Sequence, residues 1–346
     1  MSSIPRPGRR FVQVVAKTGF GAGTLMSVAA AGVGVLMGEA KLARRTIGEP
    51  TEKAPPASGS YGRGPRGETV VRMALLGDSS AAGLGVATSR ETTGAMLAGG
   101  LSRELGRRVR LDVRAAIGAR SADLDKQVAR ALRHRVDIAV IMIGANDVTH
   151  RVRPGDAARD LSRAVRTLRA AGVVVVVGTC PDLGTVEPLL QPLRSVARVY
   201  SRKLAQAQLV AVVEAEGVAV SLGNLLGPEF AQHKQYWSAD RFHPSSAGYA
   251  RVVDVLLPSM LRALGAEVAA VEAVPASVQD IDVAAAVAAG TPGIEVETIP
   301  GGEGAASAGP GRLARLVRRV PLVGRGAPAA RTPEEDLVED EPAAER

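Results

Sequence analysis

Between Val70 and Leu264 the chain alternates short apolar runs with longer amphipathic stretches, and few folds satisfy that alternation. Val70–Gly77 (VVRMALLG), Val109–Ala115 (VRLDVRA), Val136–Gly144 (VDIAVIMIG), Val173–Thr179 (VVVVVGT) and Val218–Leu222 (VAVSL) predict five strands. Several are apolar without interruption, as parallel strands buried on both faces require. Helix-like segments fall near residues 92–106, 121–133, 156–171 and 194–216, and Ser245–Leu264 closes the region. Strand–helix alternation of this kind predicts an α/β fold, a parallel sheet covered by helices with right-handed crossovers. Ligands of such sheets sit at the carboxyl ends of the strands. The residues that end each strand are therefore the ones to inspect.

Composition narrows the chemistry. Aromatic residues make up only 3% of the 346 residues, which argues against base-stacking platforms and hence against a nucleic-acid partner. Cys180, the single cysteine, rules out an intrachain disulfide framework and a Cys-rich zinc site. His134, His150, His233 and His243 leave little material for a His-based metal centre. The net charge is +7 over residues 1–72, +8 over 73–265 and −7 over 266–346. Three regions of different character are joined in one chain, and the basic part suits an anionic surface.

Residues 1–45 read as a membrane anchor or a signal segment. Gly19–Gly38 is a run of twenty positions without a charge, flanked by Arg6, Arg9, Arg10 and Lys17 before it and Lys41, Arg44 and Arg45 after it. About 20 apolar residues suffice for a helix to span the hydrocarbon core. An uncleaved single-pass anchor with the domain outside the cytoplasm is expected, with secretion after cleavage as the alternative. Residues 46–69, rich in Gly, Pro and Ser, predict a flexible linker to a domain over 70–265. Residues 266–346 predict a mostly disordered acidic tail. Within it, the basic segment 311–325 has Leu313, Leu316, Val317 and Val320 at helical spacing, as a short membrane-surface helix would; folding back on the acidic terminus after Glu334 is an equal alternative.

Four strand ends carry the candidate chemistry. The first strand runs into Gly77-Asp78-Ser79-Ser80, where a serine at a strand-to-helix turn is presented above the sheet; a helix N-cap is the plainer alternative. After the second strand, Gly118 offers its N–H to a ligand or serves as a turn glycine. After the third come Asn146, a side-chain donor, and Asp147, which caps the next segment; both also suit an ordinary turn. Before the last helix, Asp240-Arg241-Phe242-His243-Pro244 places an acid three residues before a histidine, the spacing at which one loop holds both. Tyr236-Trp237-Ser238 precedes that loop and either walls an acyl pocket or packs the loop. Cys180 reads as a small buried residue.

Ser, Gly, Asn and His in this order, at successive strand ends, resemble the SGNH hydrolases, the GDSL esterase/lipase superfamily, over about residues 70–264. The resemblance implies a three-layer α/β/α sandwich around a five-stranded parallel sheet of flavodoxin-like type. It implies Ser79 as nucleophile and first oxyanion donor, Gly118 and Asn146 as the other donors, His243 as base and Asp240 as the third triad member. It also implies a carboxylic ester substrate, such as an acyl lipid, a lysophospholipid or an O-acetylated glycan, and no metal or organic cofactor. Ser80 and Ala81 depart from the family pattern, which has an apolar residue and often Thr there; Gly83 keeps to it. The reading from another class is a non-catalytic module of the same fold that binds cell-envelope ligands. Oligomeric state has no signature in the sequence.

Overall fold

In a computed structural model, residues 38–39, 53–63, 69–266, 279–280, 283–285, 287, 294–298 and 313–318 are described. Six strands form the main sheet: β1 (Gly59–Tyr61), β2 (Val71–Gly77), β3 (Val109–Val113), β4 (Ile138–Met142), β5 (Val174–Gly178) and β6 (Val218–Val220). Their order is β1-β3-β2-β4-β5-β6. From β3 to β6 all neighbours are parallel, with Met73 opposite both Leu111 and Ile138, and Ile138 opposite Val174.

The apolar strands are sandwiched because each of their faces meets a helix layer. Ala74, Leu76, Ala139, Ile141, Val175 and Val177 face one layer. It consists of α3 (Leu124–Ala131), α5 (Pro154–Ala170) and α6 (Leu193–Glu214). Met73, Leu75, Ile138, Val140 and Val176 face the other. There lie α2 (Thr93–Leu105), α7 (Leu222–Gln232) and α8 (Ser246–Ala263). Burying one such Leu or Ile side chain stabilises the fold by roughly 1.5–3 kcal/mol. Helix starts are fixed locally: Thr92 accepts from Ala95 N–H at 3.2 Å, and Ser245 from Gly248 N–H at 3.3 Å. Two single-turn helices, α1 (Ser79–Ala82) and α4 (Ala145–Thr149), follow β2 and β4 directly.

The layers match the sequence expectation; the sheet has one strand more. Gly59–Tyr61, placed by the sequence in the flexible linker 46–69, pairs antiparallel with β3, with Gly59 opposite Leu111 and Tyr61 opposite Val109. The sheet is therefore mixed. Its edge at β3 would otherwise present unpaired N–H and C=O groups. Side chains reinforce the pairing: Ser58 Oγ accepts from Val113 N–H at 3.0 Å, and Tyr61 O–H donates to Ala57 C=O at 2.6 Å.

Residues 313–318 also differ from expectation, forming a strand rather than a helix. β7 (Gln279–Asp280), β8 (Ile294–Thr298) and β9 (Leu313–Arg318) make a small sheet of order β7-β9-β8. The backbone groups of β9 bond to two antiparallel neighbours, which satisfies them as a helix would; Glu297 stands opposite Arg315. Among the described residues, no helix is long and apolar enough to cross a membrane. The apolar run 19–38 lies, save Gly38, outside them.

Candidate active site

The chain leaves β2 for β3 on one side and later adds β4 on the other, so the crevice above β2 is the topological switch point of the sheet. Ser79 stands there. Gly77 has φ 132°, and a Cβ on it would lie 1.9 Å from Met142 C=O, so only glycine lets β2 turn this closely against β4. Asp78 then caps α1, its Oδ1 accepting from Ser80 N–H at 3.0 Å. Gln127 locks the turn, accepting from Gly77 N–H at 2.7 Å and donating to Gly77 C=O at 2.9 Å.

The second part of the site comes from the loop before α8. Trp237 and Pro244 form an isolated antiparallel bridge, and Ser238 N–H donates to His243 C=O at 2.9 Å, closing the loop between them. Gly85 lets the loop approach: a Cβ there would fall 2.9 Å from His243 Cβ and 2.8 Å from Pro244 C=O. Tyr249, fully buried, ties α8 to the turn that carries Ser79 by donating to Leu84 C=O at 2.5 Å.

These two parts meet. Ser79 Oγ lies 2.9 Å from His243 Nε2, and His243 Nδ1 lies 2.5 Å from Asp240 Oδ2. A carboxylate beside Nδ1 takes its proton as a hydrogen bond, so Nε2 is left to accept from the serine hydroxyl. Asp240 Oδ1 also accepts from Ser238 Oγ–H, Phe242 N–H and His243 N–H, at 2.8–2.9 Å. Burial pushes the Asp240 carboxyl up, but hydrogen bonds from the His243 ring, the His243 and Phe242 N–H groups and the Ser238 hydroxyl together hold it well below the usual carboxylate range. Phe242 packs edge-on against the imidazole at 4.9 Å.

Gly118 and Asn146 stand on the loops flanking Ser79. Gly118 is exposed in the turn after β3. Asn146 lies in α4 and donates one side-chain N–H to Ala119 C=O at 3.1 Å, leaving its second N–H for a ligand. The two loops are clamped together by a pair the sequence reading missed. Asp147, read there as a cap, accepts from Ser121 Oγ–H at 2.8 Å and from Ser121 N–H at 3.1 Å, across 26 residues. Burial raises the Asp147 carboxyl, against the lowering effect of the Ser121 bonds. Asp78 is nearly inaccessible, and burial pushes its carboxyl up to about 6, opposed by the Ser80 N–H bond and by His243. Gln127, Ser121 and Tyr249 carry no local motif; only their distant partners reveal them. Cys180 is buried, and burial pushes its thiol up, away from the reactive thiolate. Among the described residues, no cluster of three or more His, Cys, Asp or Glu side chains has the arrangement to hold a metal ion.

A cavity of about 80 Å³ opens between the ends of β4 and β5, α7 and the histidine loop, with Asp78, Ser80, Trp237 and Phe242 in its wall. The tryptophan also donates to Phe230 C=O at 2.9 Å, so it both packs the loop and walls the cavity.

The family model of the GDSL-like lipases/acylhydrolases matches residues 75–251. A GDSL-like esterase of Mycobacterium tuberculosis is 42% identical over 257 residues, covering 70% of this chain and 82% of its own. The chain belongs to the GDSL-like lipase/acylhydrolase family. It is a carboxylic ester hydrolase of SGNH type. Solved structures similar to it include a psychrotrophic esterase of a Pseudoalteromonas species, at 16% identity and TM-score 0.46, covering 56% of this chain and 98% of that one. An acetyl xylan esterase of Geobacillus stearothermophilus is similar at 19% identity and TM-score 0.42, covering 58% and 97%.

Proposed function

We propose that this family member is a serine esterase that works through an acyl-enzyme on Ser79 and is tethered to a membrane by its N-terminal segment. The observation that carries the mechanism is the unbroken contact chain Asp240–His243–Ser79, at 2.5 and 2.9 Å. His243 Nε2 takes the proton of Ser79 as Oγ attacks the ester carbonyl carbon. The carbonyl oxygen becomes an oxyanion facing the N–H groups of Ser79 and Gly118 and the Asn146 amide. As the C–O bond to the alcohol breaks, His243 returns the proton to the leaving alkoxide. Water then repeats the cycle: His243 takes its proton, hydroxide attacks the acyl carbon, and the acid leaves as Ser79 is reprotonated. Asp240, held anionic, stabilises the imidazolium in both halves. Oxyanion donors aimed in advance are worth about 10²–10³ in turnover each.

The tether rests on the charge-free run 19–38 and its basic flanks. Consistent with a nearby anionic surface, Arg72, Arg110, Arg133 and Arg135 outnumber Asp112 in the wall of an open groove that Ser58 and Gly59 also line. On this reading the domain faces away from the cytoplasm, and its esters are acyl lipids, lysophospholipids or O-acyl groups of envelope glycans. The test is hydrolysis of p-nitrophenyl esters by the full chain beside its Ser79→Ala variant. Hydrolysis that disappears in the variant supports the mechanism. A folded wild type inert on every ester would favour a non-catalytic binding module instead. Fractionation and N-terminal sequencing of the expressed chain check the tether, since recovery of a shortened chain in the soluble fraction would replace it with a cleaved signal.

A further inference from the structure

Large apolar side chains of a folded domain are normally inside it or scattered singly over its surface. Across residues 69–266 five are exposed, and three of them fall within ten positions: Leu190 at 50%, Val196 at 47% and Val199 at 55%. Leu190 lies in the loop before α6, and the two valines, three apart, share a face of that helix's first turns. The loop is held in place, since the Arg194 side chain donates to the carbonyls of Leu189 and Glu187 at 2.7 and 2.9 Å. Contacts set this patch on the active-site edge of the sheet. Leu189 and Tyr200 pack against the cluster that Ala145, Trp237 and Phe242 also touch, and Tyr200 O–H donates to Val152 C=O at 2.8 Å. Glu187 pairs with Arg241, between Asp240 and His243, at 3.9 Å. Ile117, also exposed, stands on the same edge beside Gly118.

Two further observations say what meets the patch. Its rim is cationic: Arg198 and Lys203 stand exposed on α6 beside the valines, Lys234 is exposed nearby, and Glu187 is held by Lys234 at 3.2 Å. Apolar side chains rimmed by Lys and Arg suit the boundary between acyl chains and anionic headgroups. The second observation is independent of the first. Glu39 Oε2 accepts from Leu193 N–H at 2.9 Å, at the first residue of α6. Glu39 directly follows the charge-free run 19–38, so that run ends against the patch itself. If the run spans a bilayer, the point where the chain leaves the lipid lies beside Leu190 and Val196.

We propose that Leu190, Val196 and Val199 form a lipid-docking surface that seats the active-site edge against an anionic bilayer, so that the preferred substrates are esters residing in that bilayer rather than dissolved ones. The proposal rests on the tether reading and adds an orientation to it. A tether alone leaves the domain free to turn either end toward the membrane; the docked patch turns Ser79 toward it.

The test uses the full chain with Leu190→Cys, Val199→Cys or His134→Cys, each labelled with a fluorophore; Cys180 is buried and stays unlabelled. His134 is exposed just before β4, at the opposite edge of the sheet. Each chain is bound to vesicles of phosphatidylglycerol and phosphatidylcholine that contain brominated lipid. Quenching by the brominated lipid is expected at positions 190 and 199 and not at 134. Quenching at none of the three, in a chain that stays on the vesicles, overturns the docking surface and leaves the tether standing. Quenching at 134 equal to or above that at 190 and 199 denies the orientation and overturns it too. So does shielding of 190 and 199 from iodide without quenching by lipid, since protein, a second copy or residues 19–37, would then cover the patch. A chain that does not stay on the vesicles removes the tether reading and the docking with it. Activity gives the second readout. Leu190→Asp combined with Val199→Asp should slow hydrolysis of a long-chain p-nitrophenyl ester in the vesicles by about 10-fold or more, while dissolved p-nitrophenyl acetate is cleaved as by wild type. An unchanged ratio of the two rates overturns the proposal.

Discussion

The two sides of the Ser79–His243 pair use the same side chain in opposite ways. In the histidine loop, Asp240 is half-buried and wrapped by donors, so its carboxyl is held well below the ordinary range despite the cost of burial. In the Ser79 turn, Asp78 is almost fully buried, and burial prevails over the Ser80 bond and the influence of His243, carrying its carboxyl up to about 6. The difference lies in burial and in donors: the histidine loop closes four hydrogen bonds on a half-buried carboxylate, whereas the fully buried Asp78 receives only the N–H groups of Ser80 and Gly144. Residue type therefore does not decide which aspartate backs the histidine. The environment does, and it assigns the constant charge to Asp240.

The largest effect expected from breaking this arrangement is on turnover. Ser79→Ala should cost at least about 10⁴-fold in kcat, since members of such a unit fail together. Asp240→Asn should cost on the order of 10³–10⁴-fold, because an amide offers His243 Nδ1 the wrong partner and disturbs the tautomer. Asn146→Ala should cost about 10²–10³-fold in kcat with KM little changed, the pattern of a donor used only when charge develops. Steady-state kinetics on one ester ranks all three. Asp78→Asn rivalling Asp240→Asn in lost turnover would erase the contrast between the two sides.

How much of this was legible beforehand follows from where each signal lives. The apolar runs of β2, β4 and β5 announce themselves because both faces are buried, and Ser79 and Asn146 follow β2 and β4, where composition breaks. Asp240 and His243 share one short loop, so their pairing is visible as spacing. β1 was illegible: of its three residues only Tyr61 favours a strand, while Gly59 and Ser60 do not, and the strand exists because β3 has an edge to cover. The Leu313–Arg318 strand was misread since Leu313, Leu316 and Val317 suit a helical face, and only pairing with Ile294–Thr298 decides otherwise. The Ser121–Asp147 clamp and the Gln127 lock are long-range facts of packing, which no local pattern encodes.

The comparison also predicts opposite pH dependences of stability. Asp78 is raised from 3.8 in the unfolded chain to about 6 when folded, so its favourable contribution is complete below pH 4 and is lost as pH rises through 6. By pH 8 that loss amounts to about 3 kcal/mol. Asp78→Asn should therefore gain about that much on wild type between pH 4 and pH 8, whatever its constant cost. Asp240 is lowered instead, so its contribution is present above the unfolded value and fades as the pH falls toward the depressed one. Asp240→Asn should lose ground on wild type as the pH rises from 2 to 4, the window below the unfolded value, and should hold a nearly constant difference between pH 4 and pH 8. Denaturant titrations at pH 2, pH 4 and pH 8 measure both differences, and equal signs in the two windows would overturn the assignment.

The smallest effect sharpens the comparison furthest. Ser238 donates to Asp240 Oδ1 at 2.8 Å, one of three donors on that oxygen, while the Phe242 and His243 N–H groups hold it from the backbone. Ser238→Ala removes a single neutral donor without touching the Asp240–His243 contact. The expected cost is about 1 kcal/mol, a fall of roughly 3- to 10-fold in kcat/KM. The same variant should narrow the difference between the two carboxylates, so that the acid loss of stability, which begins at the unfolded value in both proteins, ends at a higher pH and is smaller than in wild type. If turnover falls but the acid limb of stability stays where it was, Ser238 positions the loop and contributes nothing to the charge on Asp240. If both move together, the low pKa of Asp240 and the competence of His243 have a common origin in the donors that the loop closes around one oxygen.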